Sequence, residues 1–287
     1  MSRLRDAAIR RGYRVGWRVA RAIPDRAVQV IVSYASRRAA RRNGSHVQTL
    51  RRNLSIATGE AASDELVQAA LTSYLRTLYE VLALPGWSAR KVMTNVEVIG
   101  ELELRSAFAA RGAVVALPHS GNWDLVGAWA CLTGLPVSTV AEELGGGDFE
   151  AFAGFRRRLG MEVLSHRDPA AISTLVAAIR RGRVVCLLAD RDLDGGGLPV
   201  LWRGQPITMP AGPAIVARRS GAALVPAVCQ YTPRTMRVLL GQPIEHRPGR
   251  NGLVAMTQEL ADFFAARIAE QPQDWHLMQP FFPEVTP

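Results

Sequence analysis

Hydrophobic positions along the chain fall into two textures that meet near residue 95. Before it, apolar residues recur at helical spacing. Ile9, Tyr13, Trp17 and Ala20 share one stripe, so the pattern predicts a helix over 3–23 that Pro24 ends. A second helix is expected over 26–42, with Val28, Ile31, Val32, Ala35 and Ala39 on its apolar face and Asn43-Gly44 as its stop. A short helix carrying Leu50 and Leu54 follows, then a longer one from Ser63-Asp64 to about Leu84, ahead of Pro85. From Asn95 onward short β-rich runs alternate with helical ones. Strands are expected near 95–99, 113–117, 137–141, 161–164, 184–189, 199–203, 223–228 and 235–240, with helices near 102–110, 123–133, 148–159, 169–181, 211–220 and 252–270. Such alternation implies an α/β fold whose central sheet is covered on both faces. The unbroken apolar runs 113–117 and 184–188 suit interior strands. The expected organisation is an extension of basic amphipathic helices over 1–94 and an α/β core over 95–287, packed as a single domain.

Charge sharpens the first texture. Fourteen arginines against two acids, Asp6 and Asp25, fall within residues 1–52, more than the whole net charge of +10, so the rest of the chain is slightly acidic. A basic segment of this kind binds nucleic acid or sits on an anionic membrane surface. Aromatics are only 7% and no nucleic-acid motif is present, so the membrane is the expected partner. The longest apolar stretch, 113–141, is interrupted by Pro118, His119, Asn122, Asp124 and Pro136, so no transmembrane helix is expected, nor a signal peptide. Cys131, Cys186 and Cys229 lie in apolar stretches at spacings that match no disulfide or metal framework, and read as reduced core residues. No metal is expected, because no H-x-x-x-H or C-x-x-C pair occurs. His46, His166 and His246 stand in basic contexts and are expected to be exposed.

The chemistry concentrates where the strand 113–117 runs into Pro118-His119-Ser120-Gly121-Asn122-Trp123-Asp124. Polar groups at the carboxyl end of a buried strand are where open α/β sheets bind ligands. On a regular helix five steps of about 100° would make His119 and Asp124 diverge. Ser120-Gly121-Asn122 instead allows a loop, which puts His119 on the turn and Asp124 in the first helical turn, where the two can approach. A neutral imidazole activates an alcohol near neutral pH, and a carboxylate on its other nitrogen fixes the tautomer. The same pair is also compatible with a capped helix start and no chemistry.

The octad 117–124 resembles the H-x-x-x-x-D motif of glycerolipid-type acyltransferases, and more closely the branch holding bacterial lipid A acyltransferases and actinobacterial phosphatidylinositol mannoside acyltransferases. Leu50-Arg51-Arg52-Asn53-Leu54, Val140-Ala141-Glu142, Phe155-Arg156 ahead of Leu159-Gly160, Asp190-Arg191-Asp192-Leu193, the run 209–214 and Asp274-Trp275-His276 extend the resemblance, in order, over roughly residues 10–280. It implies a glycerolipid-acyltransferase-like α/β fold with a mixed, mostly parallel sheet. It also implies a long-chain acyl-CoA donor, palmitoyl-CoA by analogy, as co-substrate with no other cofactor. The implied acceptor is the 6-hydroxyl of a mannose on phosphatidylinositol mannoside, with a lipid A precursor or another glycolipid as the alternative. The place of action is the cytoplasmic face of the inner membrane, peripherally bound.

Residue by residue, the resemblance makes His119 the general base and gives Asp124 the task of shaping the site and orienting it. A second acid pairs with the histidine in the mannoside enzymes. It is typically Glu there and is Asp190 here, one methylene shorter, so either the backbone compensates or Asp124 takes more of the pairing. Glu142, Arg156 and Asp192 are expected on the substrate side, against the plainer readings of a helix-start acid, a wet helix face and a solvated strand end. The run at Met209-Pro210-Ala211-Gly212-Pro213 opens a helix whose free N–H groups suit an anion or a thioester oxygen. His276 reads as structural beside Trp275.

Overall fold

A computed structural model of the protein describes residues 23–143, 148–193 and 195–283. The expected helix over 3–23 lies outside them, its last residue excepted. Among the described residues the amino-terminal part is helical: α1 (Asp25–Arg42), α2 (Ser45–Thr58), α3 (Asp64–Ala83) and the short α4 (Ala89–Thr94), which the pattern did not predict. Ser63 caps α3 by accepting from the Leu66 amide at 3.2 Å, and Asp64 and Glu65 in its first turn suit the helix dipole. The apolar face expected for α1 is narrower than the pattern suggested. Val28 and Val32 are buried, but Ile31 is exposed with Val30 and Tyr34. The turn between Ile31 and Val32 puts only one of the pair toward α3.

The core alternates as expected: β1 (Val96–Ile99), α5 (Glu101–Arg111), β2 (Ala113–Leu117), α6 (Trp123–Leu132), β3 (Val137–Ala141), α7 (Asp148–Arg158), β4 (Glu162–Ser165), α8 (Ala171–Arg180) and β5 (Val184–Leu188). A hairpin, β6 (Leu198–Trp202) and β7 (Gln205–Met209), precedes α9 (Gly212–Ser220), β8 (Ala223–Tyr231), β9 (Met236–Leu240) and α10 (Gly249–Glu270). The strand β7 was not legible, because Pro206 interrupts a run of only five residues. The main sheet runs β1-β9-β8-β2-β5-β3-β4. From β8 to β4 every pairing is parallel, and β9 turns back antiparallel to β8 with β1 parallel to it. This is the mixed, mostly parallel sheet of the family resemblance.

Both faces are covered. One carries Val114, Ala116 and Leu187 under α8, α9 and α10; the other carries Val115, Leu117 and Val225 under α6 and its neighbours. All five positions of β2 are buried, as its unbroken apolar run requires. The functional consequence is a fixed strand tip at the centre of the sheet. Among the described residues no helix is long and apolar enough to cross a membrane.

Candidate active site

The register of two neighbouring strands creates the site. Leu117 of β2 stands opposite Leu188 of β5, and the Ala189 amide donates to the Leu117 carbonyl at 2.9 Å. Two residues further along each strand direction, His119 and Asp190 face each other. Nδ1 of His119 lies 2.5 Å from Oδ1 of Asp190, and the His119 backbone amide donates to Oδ2 at 3.0 Å. Asp190 is fully buried, while the His119 side chain keeps 18% of its surface. Burial pushes the Asp190 carboxyl up, but the His119 charge and the hydrogen bonds from His119 and Trp275 outweigh it and hold the group below the usual range. An anionic carboxylate on Nδ1 assigns the ring proton there and leaves Nε2 as the base. The backbone thus brings the shorter acid into contact.

A carboxy-terminal segment fastens this arrangement. Trp275 Nε1 donates to Asp190 Oδ2 at 3.0 Å, Trp275 bridges Ser120 in antiparallel fashion, the Gly121 amide donates to the Asp274 carbonyl at 2.9 Å, and the His276 amide to the His119 carbonyl at 2.8 Å. Gly121 sits at φ +57°, and a Cβ there would lie 2.8 Å from the Cys229 carbonyl oxygen, so the turn requires glycine. Asp274 is itself buried, accepting from Ser73 Oγ at 2.5 Å and from the Tyr231 amide at 2.6 Å. Ser73 Oγ also meets His276 Nε2 at 2.9 Å. Burial, then the charge of His119, pushes the His276 imidazole down to about 3, so it is neutral at physiological pH.

From the other side α3 supplies a polar stripe at helical spacing. Ser73, Thr77 and Glu80 all face inward. Glu80 accepts from Asn122 Nδ2 at 3.0 Å, from the Tyr231 hydroxyl at 2.7 Å and from Arg76 Nε at 2.8 Å. Asn122 in turn caps α6 by accepting from the Leu125 amide at 3.0 Å. The sequence reading passed over Ser73, Glu80 and Tyr231. The available signal was three polar residues, spaced four and three apart, on the buried side of an otherwise amphipathic helix.

Asp124 does not orient His119, as expected from the motif, but pairs with Arg156 of α7, which donates from Nε to Oδ1 at 2.6 Å and from Nη2 to Oδ2 at 3.1 Å. The physical reason is competition. A guanidinium fork takes both carboxylate oxygens at once, and the fully buried Asp190 already holds the imidazole. Burial pulls the Arg156 guanidinium down, but Asp124 more than compensates and holds it above its ordinary value. Asp124 and Arg156 line a narrow cavity of about 70 Å³ that runs between α6 and the sheet past Val115, Ala130, Met161 and Leu188. Trp123 stands at its head, edge-on to the His119 ring with centroids 5.5 Å apart. Cys186 also lines it, with a thiol that burial pushes up to about 12, which keeps it protonated and poorly nucleophilic.

The remaining expected residues lie on the same edge of the sheet. Glu142, just past β3, pairs with Arg191 at 3.3 Å, so the arginine between the two expected acids is also engaged. Asp192 accepts from the Gly197 amide at 2.9 Å and organises its own loop. His166 and His246 are half-buried, not exposed. The Glu143 amide donates to His166 Nδ1 at 2.9 Å, a local tie between the tips of β3 and β4.

The arrangement is equipped to accept a proton from a hydroxyl beside a narrow, mostly apolar cavity. Comparison with known proteins points the same way. The profile of the family described as "Bacterial lipid A biosynthesis acyltransferase" matches residues 7–283. A phosphatidylinositol mannoside acyltransferase of Mycolicibacterium smegmatis is 39% identical over 278 residues, covering 94% of this chain and 90% of that protein. A phosphatidylinositol mannoside acyltransferase of Mycobacterium tuberculosis (strain H37Rv) is 40% identical over 277 residues, covering 93% and 86%.

Proposed function

The chain belongs to the bacterial lipid A biosynthesis acyltransferase family, and from that premise we propose that it moves a long-chain fatty acyl group from acyl-CoA to the 6-hydroxyl of a mannose of phosphatidylinositol mannoside. Membership makes it an enzyme that transfers acyl groups. The names of its relatives support the acceptor, and one geometric observation supports the chemistry: an imidazole whose Nδ1 is held by buried Asp190, next to an apolar cavity.

In this mechanism Nε2 of His119 takes the proton as the mannose oxygen attacks the thioester carbonyl. Asp190 stabilises the imidazolium that forms. The tetrahedral intermediate collapses, the C–S bond breaks, and His119 returns the proton to the departing coenzyme A thiolate. The acyl chain occupies the cavity under α6. The Asp124–Arg156 pair at its polar end fixes the mouth; Glu142 and Asp192 border the acceptor side. Both substrates meet at one base, so no acyl-enzyme is required, and no cofactor beyond the acyl-CoA co-substrate enters. Residues 1–94 act as the membrane-associating extension of the core over 95–287 and hold the enzyme peripherally on the cytoplasmic face of the inner membrane. The exposed Val30, Ile31 and Tyr34 and the arginines that follow them on α1 support that placement.

The test is a coenzyme A release assay with purified protein and a panel of glycolipids, products identified by mass spectrometry. His119→Ala should abolish turnover while the fold persists; retained activity rules the mechanism out. A lipid A precursor acylated in preference to the mannoside would overturn the acceptor and leave the chemistry standing.

A further inference from the structure

A second recess opens on the carboxyl edge of the sheet, apart from the apolar cavity. It holds about 410 Å³ and is lined by Arg76, Lys91 and Arg234 together with Glu80 and Trp87. Three cations thus share the lining with one carboxylate, which is already engaged, by Arg76 on Oε1 and by Asn122 and Tyr231 on Oε2. Two of the cations are held by aromatic faces. The Arg76 guanidinium carbon lies 3.8 Å from the centre of the Tyr231 ring, and the Lys91 ammonium 4.3 Å from that of Trp87. A cation stacked in this way has lost part of its freedom before a ligand arrives and still offers N–H donors to an anion.

The recess lies on the same edge of the sheet as His119. Arg234 precedes β9, which runs opposite to β2, so the start of β9 lies on the edge where β2 ends. β9 is two strands from β2 in the sheet, a lateral step of roughly 10 Å at about 4.8 Å per strand. Glu80 at its floor holds Asn122 of the His119 loop. On the opposite wall stand Val28 and Val32 of α1, the helix whose other side exposes Val30, Ile31 and Tyr34 ahead of Arg37, Arg38, Arg41 and Arg42.

We propose that this recess seats a phosphate anion of a substrate. The geometry favours the phosphodiester of the lipid acceptor over the phosphates of coenzyme A, because the recess adjoins the exposed strip of α1. The choice of source rests on the acceptor being a phosphoinositol glycolipid. The phosphodiester then anchors in the recess while the glycan reaches across β8 to His119.

The experiment uses the full chain, the soluble probes glycerophosphoinositol and coenzyme A, and saturation-transfer NMR, with no turnover needed. Wild type should bind glycerophosphoinositol, and Lys91→Ala/Arg234→Ala should weaken it at least tenfold while leaving coenzyme A unchanged. A tenfold loss confined to coenzyme A keeps the seat and reassigns its occupant to the donor. The idea fails if wild type binds neither probe or if the double variant binds both as wild type does. It fails equally if Arg111→Ala/Arg180→Ala, which removes the same charge elsewhere, causes the same loss. Absence of acyl transfer in wild type would count against the proposed reaction alone, since the binding readout does not depend on it.

Discussion

The indole Nε1 of Trp275 lies 3.0 Å from Oδ2 of Asp190 and donates to it across 85 positions of sequence. Trp275 is fully buried and stacks on Trp202 with ring centroids 5.5 Å apart, so the aromatic cluster aims the donor. The carboxylate therefore meets His119 from one side and the indole from the other. A hydrogen bond to a charged group is worth about 1.5–3 kcal/mol. Trp275→Phe keeps most of the packing and removes only that donor, so kcat/KM should fall about 10- to 100-fold. The sign of the pH effect follows as well. Without the indole the carboxylate becomes more basic and favours the imidazolium, so the acid limb of the pH–rate profile should move to higher pH. An unshifted limb with a normal rate would leave Trp275 a packing residue.

Asp190 itself should be intolerant in two distinct ways. In Asp190→Asn one amide oxygen faces the donors that the carboxylate satisfied, and the amide's own N–H groups favour the tautomer with its proton on Nε2. A ring in that state cannot accept a proton, and kcat should fall by about 10² to 10⁴ with little change in KM. Asp190→Glu restores the acid typical of the resembled family but adds a methylene to a fully buried site, which should cost about 1–3 kcal/mol of stability. Thermal melts and steady-state kinetics on both variants check this; a fully active, unperturbed Asp190→Asn would remove the carboxylate from the mechanism.

Most of the alternation of strands and helices was readable because the central strands β2 and β5 are short, unbroken apolar runs and the helices end close to glycine, asparagine or proline. His119 and Asp190 were readable as motif residues. Their pairing was not readable from spacing, since it depends on the register of β2 against β5, and the sequence neighbour of His119, Asp124, turned out to be committed to Arg156. Ser73 and Glu80 were missed for a related reason. A polar residue in an amphipathic helix gives no sign of facing inward until its partners, Asp274, Asn122 and Tyr231, are brought in from far along the chain.

The buried His276 makes stability pH-dependent. Its folded-state value is pushed down to about 3, against 6.5 for a free imidazole, so below 6.5 the unfolded chain binds the proton and the folded chain does not. Its contribution is intact above 6.5 and drains away as pH falls toward 3. Between pH 7 and pH 5 the loss from this one group should be about 2 kcal/mol. Denaturant titrations of wild type and His276→Gln at both pH values measure it. The variant should lose less on acidification by about that amount. An equal drop in the two proteins would mean that the folded His276 takes up a proton freely.

On the proposed reading, in which the acyl chain lies beneath α6, the lining of that cavity sets chain length. Gly127 lies on α6 facing the cavity, and a Cβ there would come within 2.5 Å of the terminal methyl of Met161, the far end of a flexible side chain that also lines the cavity. Gly127→Ala gains up to about 1 kcal/mol of helix propensity, which offsets the cost of moving Met161, so the fold should survive. The displaced thioether can only take room from the channel. The ratio of rates with palmitoyl-CoA and lauroyl-CoA should therefore shift toward the shorter donor, mainly through loss of the longer one. The His119 chemistry and the Asp124–Arg156 pair are untouched by the change, so kcat with the short donor should stay near wild type. A variant with an unaltered chain-length profile would mean that the acyl group lies elsewhere.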